Sequence, residues 1–108
     1  MNVRFEYLYR DSGNFKNWGE VVFSNPRGVR ADIISAIAAQ VLIDRTFFVA
    51  TIADVPDLHF AEHNEDLDHG WHETHAFRPT GEPPNDVRNR NIEEFVESLR
   101  TASQVTNM

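Results

Sequence analysis

All five histidines fall between residues 59 and 75, in the run HFAEHNEDLDHGWHETH, and Glu62, Glu65, Asp66, Asp68 and Glu73 are interleaved with them. Imidazole nitrogens and carboxylate oxygens are donors that zinc, nickel and iron accept. His63, His69, His72, Glu73 and His75 are therefore the candidate ligands of zinc or another divalent transition metal. Strand geometry restricts the set. Side chains alternate along a strand, so Glu73 and His75 share one face and His72 takes the other, while His63 or His69 can join either face from a loop. The order His72-Glu73-Thr74-His75 leaves two residues between the histidines, which is not the helical zinc motif H-E-x-x-H. The competing expectations are a solvated acidic loop without a cofactor, with Trp71 or Phe77 packed in the core, and a pH-sensitive surface whose histidines gain charge on acidification because carboxylates surround them.

Other chemistries find less support. Glu73 with His72 or His75 offers an acid–base pair, but catalysis also needs a pocket, a substrate anchor and a group to stabilise developing charge. Ser12, Ser24, Ser35, Ser98 and Ser103 sit in no nucleophile-elbow pattern, and no glycine-rich phosphate loop occurs. The chain has no cysteine, which removes disulfides, thiolate metal sites and a thiol nucleophile. Catalysis is not the expectation.

A second cluster is aromatic. Tyr7 to Gly19 carries Tyr9, Phe15 and Trp18 together with Arg10 and the chain's one lysine, Lys16. Tyr, Trp and Arg are favoured at protein interfaces, although Tyr7 and Tyr9 also suit the buried face of a strand. The charge supplies a further candidate surface. Ten basic and seventeen acidic residues leave a net charge of −7, and residues 1–54 are balanced while residues 55–108 carry four basic against eleven acidic. Phosphate backbones repel such a chain, so direct nucleic-acid binding is disfavoured and a basic protein surface is favoured. The candidate partner-binding residues are Tyr9, Phe15, Trp18, Asp57, Glu62, Glu65, Asp66 and Asp68.

These residues must be positioned by a small fold. At 108 residues and 41% hydrophobic content the chain suits one packed domain. Val3, Phe5, Tyr7 and Tyr9 alternate with Arg4, Glu6, Leu8 and Arg10, which predicts a strand over 2–10. Asp11-Ser12-Gly13-Asn14 turns the chain, Phe15 and Trp18 fall in a wide connection, and Glu20 to Ser24 forms the return strand. Asn25-Pro26 breaks it. Ile33, Ile34, Ile37, Ala38, Val41 and Leu42 then mark one buried face of a helix over 30–43. Thr46 to Ile52 is continuously apolar and β-branched, which predicts a central strand. Residues 57–70 read as an acidic loop with a short strand near Leu58 to Phe60, and Trp71 to Phe77 as a last strand stopped by Arg78-Pro79. That strand's two faces are not clearly apolar and polar. Asn91 and Glu94 form a capping box for a final helix ending near Thr101. The expectation is a two-layer α+β domain over 1–101, order ββαββα, with an antiparallel sheet of about four strands, two helices on one face and a frayed tail at 102–108.

The opening F-E-Y-x-Y-R-D-x-x-N-[FY]-K-N-x-G, the Val21-Val22-Phe23 strand, Phe47-Phe48-Val49-Ala50 and Trp71-His72-Glu73 resemble a group of small single-domain bacterial proteins of unassigned function. The similarity spans most of residues 3–77. It implies a bacterial, cytoplasmic setting, including mobile elements, and carries over no catalytic or binding residues.

Three functional readings follow. The first is a small acidic interaction protein, of the inhibitor, immunity or anti-defence kind, acting on a basic or nucleic-acid-binding protein partner. The second is a metal-binding protein or metal-dependent enzyme built on the histidine run. The third is a homodimer paired through an aromatic edge strand. No stretch approaches the roughly 20 apolar residues that cross a bilayer, so a membrane role is not expected.

Overall fold

A computed structural model describes residues 1–60 and 70–104. The chain forms β1 (Asn2–Arg10), β2 (Lys16–Phe23), α1 (Ala31–Val41), β3 (Phe47–Phe48), β4 (His72–Thr80) and α2 (Ile92–Gln104). The strands make one antiparallel sheet in the order β2-β1-β4-β3. This is the expected α+β architecture with four strands. No helix of the described residues is long and apolar enough to cross a membrane.

The alternation in β1 decides which face is inside. Val3, Phe5 and Tyr7 join Ile34 and Ala38 of α1 and Ile92, Phe95, Val96 and Leu99 of α2 in one core. The Phe5 ring lies 5.1 Å from Tyr7 and 4.9 Å from Phe95, and Phe95 stacks on Phe23 at 4.2 Å. Burying each such ring contributes about 1.5–3 kcal/mol. On the opposite face, Arg4 pairs with Glu6 and Glu82, Arg78 with Glu6, and Arg10 with Glu73.

The first hairpin is tighter than expected. Arg10 already faces Lys16, and Trp18 lies inside β2 opposite Leu8 instead of in the connection. The Asp11 carboxylate accepts the Gly13 and Phe15 amides, both at 2.9 Å, and Asn14 takes φ 66°. This small polar turn reverses the chain early enough for pairing to start at Lys16.

The expected central strand over 46–52 is corrected. Only Phe47 and Phe48 pair with β4, at the sheet edge, and β1 and β4 are the central strands. After Phe48 the chain coils: the Ala53 amide donates to the Val49 carbonyl at 3.1 Å and the Val55 amide to Ala50 at 3.2 Å. Ala50, Ala53 and Val55 are buried, so the apolar run reflects a turn packed into the core, which periodicity does not separate from a buried strand. Leu58 to Phe60 lies outside any strand.

β4 runs past Arg78-Pro79 to Thr80, with Pro79 opposite Val3. Proline is tolerated there because β3 flanks β4 only at His72 and Glu73, which leaves the missing donor on an open side. Between Glu6 and Tyr7 the register slips: Glu6 faces Ala76 and Tyr7 faces Thr74. His75 is thus the extra residue of a β-bulge. The bulge lets His72 and Phe77, five positions apart, both turn inward, and explains why the strand shows no simple alternation.

The helices also differ in detail from the expectation. In α1, Ile34 and Ala38 are buried, but Ile33 and Ile37 are each 45% exposed. In α2, the Glu94 amide donates to Asn91 Oδ1 at 2.9 Å and the Asn91 amide to Glu94 Oε1 at 3.0 Å, as the capping box requires. The helix continues to Gln104 with Ala102 and Ser103 buried, so the expected boundary at 101 falls inside it. Residues 105–108 of the expected tail lie outside the described residues.

Candidate functional site

Tyr9 of β1 and His72 of β4 meet at one end of the sheet, on its helix-facing side, with ring centroids 5.3 Å apart. Phe48 of the neighbouring β3 places its ring 6.1 Å from His72. Across this aromatic floor runs the segment that leaves the 50–55 turn. The Tyr7 hydroxyl donates to the Pro56 carbonyl at 2.6 Å and Asn17 Nδ2 to the Leu58 carbonyl at 3.0 Å, which fixes the segment to β1 and β2. Burial, with the nearby Asp57 charge, pushes the Tyr7 hydroxyl pKa upward, so it remains a donor. Gly19 makes this crossing possible: a Cβ there would lie 3.0 Å from the Leu58 side chain and 3.3 Å from Tyr7.

Asp57 and His59 are thereby brought over His72. Their donor atoms and that of His72 all lie within 4.8 Å of one another. Asp57 Oδ1 accepts from the His59 amide at 2.9 Å and stands 2.7 Å from His59 Nδ1 and 3.5 Å from His72 Nε2. His72 is 1% exposed, and its Nε2 accepts the Leu58 amide at 2.9 Å. This bond defines the neutral tautomer, with the Nε2 lone pair directed at the 57–59 segment. His59 is wedged between Tyr9, at 4.4 Å, and His72, at 5.1 Å. Burial alone would raise the Asp57 carboxyl; the hydrogen bonds from the His59 amide and ring outweigh it and hold the group below the ordinary carboxylate value. The result is an anchored carboxylate beside two imidazoles.

Only part of the expected ligand set is here. His72 is in the cluster. Glu73 faces the other way and is held by Arg10, with Nε to Oε2 at 2.8 Å and Nη2 to Oε1 at 3.3 Å. His75 packs edge-on against Trp18 at 4.9 Å. His63 and His69, with Glu62, Glu65, Asp66 and Asp68, lie outside the described residues. Asp57 is expected on a partner surface, and His59 belongs to neither candidate set. The i, i+2 spacing of Asp57 and His59, which puts both on one side of an extended segment, was the available signal.

The aromatic candidates separate as well. Tyr9 is fully buried against His59 and His72, so its place in a partner surface is corrected: the alternation that makes β1 a core strand turns it inward. Phe15 is 71% and Trp18 53% exposed. Trp18, Gly19, Glu20, Glu6 and His75 line a shallow open depression on the sheet face away from the helices. Glu6 is held ionised: burial would raise it, but hydrogen bonds from Arg78 and Arg4 outweigh that and lower its pKa.

The chain matches no protein-family model, no curated protein and no solved structure.

Proposed function

We propose that this protein is a small acidic interaction module that binds another protein through that partner's basic surface, in the manner of an inhibitor or immunity-type modulator. The observation that carries this reading is Trp18, held in the middle of a strand yet 53% exposed, in a depression shared with Glu6, Glu20 and His75. An arginine side chain suits this depression: its guanidinium can stack on the indole and approach Glu20. Cation–π contact adds about 0.5–1 kcal/mol at exposed sites and about 2 kcal/mol once desolvated. The charge distribution supports the same class of partner at longer range. Residues 46–77 contain seven carboxylates and neither lysine nor arginine, which attracts a basic surface and accelerates encounter at low salt.

Titration of the protein with an arginine-rich peptide and with a lysine-rich peptide of equal charge tests the reading. The Trp18 indole N–H resonance is expected to move more with the arginine peptide. Trp18→Ala should weaken that binding about 5- to 30-fold, the range given by roughly 1–2 kcal/mol of lost stacking. Equal responses to both peptides with no change in Trp18→Ala would reject it.

A further inference from the structure

The buried end of the sheet carries chemistry that an interaction surface does not use. We infer that Asp57, His59 and His72 form a binding site for a divalent transition metal of the zinc class, with Asp57 Oδ1, His59 Nδ1 and His72 Nε2 as ligands. Two imidazoles and a carboxylate are a donor set that zinc accepts, and three protein ligands leave the fourth tetrahedral position to water or an incoming group.

The distances set how much must change. Zinc bonds of about 2.0–2.2 Å in a tetrahedron put ligand atoms about 3.4 Å apart. His72 Nε2 and Asp57 Oδ1 are already 3.5 Å apart. His59 Nδ1 and Asp57 Oδ1, now 2.7 Å apart across a hydrogen bond, need to open by about 0.7 Å to reach that separation. All three donors start within 4.8 Å of one another. The metal takes the place of the proton at His59 Nδ1, and the neutral ring keeps its one N–H at Nε2.

The tautomer of His72 is also suited to the role. Its Nε2 lone pair is directed at an electrophile, the Leu58 N–H at 2.9 Å, and that amide belongs to the residue between the two other ligands. Metal entry therefore exchanges one electrophile for another and must turn the Leu58 amide away. The imidazoles are held by aromatic neighbours: Tyr9, Tyr7 and Phe48 pack around His72, and Tyr9 also packs against His59. The Asp57 side chain is 42% exposed, which gives an ion a route from solvent.

Zinc chloride added to the full-length protein, followed by calorimetry and by NMR of backbone amides and imidazoles, tests the site. The expected result is one equivalent bound, with the His59 and His72 ring signals and the Leu58 amide among the largest shifts. His59→Gln and Asp57→Asn alter side chains on the outer segment and leave buried His72 in place. Each should weaken binding at least about tenfold, the scale of losing even a supporting contact at a zinc site. His75→Gln, on the opposite sheet face, should leave binding unchanged. Absence of saturable binding at millimolar zinc would overturn the inference. So would binding that both His59→Gln and Asp57→Asn preserve while the Leu58 amide stays in place, since the ion would then sit elsewhere.

Discussion

Arg90 shows how one side chain can organise a region with no regular structure of its own. Its guanidinium grips both Asp86 oxygens at 2.9 Å, donates to the carbonyls of Ala53 and Asp54, and lies over Phe23 and Phe95 at 5.7 and 5.1 Å. Within residues 86–90 only the Asp86–Arg90 spacing announces this, because the other partners come from the 50–55 turn, β2 and α2. Removing one member strands a buried charge, so Asp86→Asn is expected to cost about 3–5 kcal/mol in denaturant unfolding. The pair also gives a pH signature. Burial would raise Asp86, but the Arg90 hydrogen bonds outweigh it and lower its pKa in the folded protein. A carboxyl lowered in this way contributes stability that is complete above its unfolded value of about 3.9 and is lost as pH falls through the folded value. Unfolding midpoints should therefore drop below about pH 4 in the wild type, and less steeply in Asp86→Asn. An identical acid profile in the two proteins would contradict this account. At the candidate metal site the sequence showed His72 but not its company, because Asp57 reaches it only through the path of the intervening turn.

At the scale of elements, local signals were the readable ones. Asn91 and Glu94 are three positions apart, and their reciprocal bonds form as the spacing implies. Asn91→Ala should cost about 1 kcal/mol. Combined with Glu94→Ala in a double-mutant cycle, the loss should be less than the sum of the single changes, since each group serves the other's amide; simple additivity would argue against the box. The alternation of β1 and the existence of both helices were equally legible, because they depend on neighbours in sequence. The 46–52 run was not, since apolar continuity fits either a central strand or a turn covered by α2. Strand ends were also obscured. Pro79 stops a strand only where its missing donor is needed, and that depends on how far β3 extends alongside. Asn85 illustrates the same dependence: it caps the β2 edge by bonding the amide and carbonyl of Val22 at 2.8 and 3.0 Å, a contact between residues 63 positions apart.

The whole molecule has two unlike sides. One holds the aromatic core and the Asp57, His59 and His72 cluster; the other is a lattice of ion pairs with Trp18 exposed among them. The overall charge of −7 should be felt at that indole. In a Trp71→Phe variant, where Trp18 is the remaining tryptophan, quenching by caesium, taken relative to its quenching of free tryptophan, is expected to exceed that by iodide on the same scale at low ionic strength, and the difference should shrink toward 1 M salt as the screening length falls to about 3 Å. Equal quenching by the two ions at low salt would show that Glu6 and Glu20 do not set the local potential. His75, the extra residue in β4, separates the two sides within one strand. Acting as a phase shift, it lets the residues before it and those after it obey opposite parities, so the two halves of β4 can diverge independently without exchanging faces. Straightening the bulge with that residue kept in the ladder would force a choice, leaving either His72 or Phe77 outside, whereas deleting it would set the two four positions apart on one face.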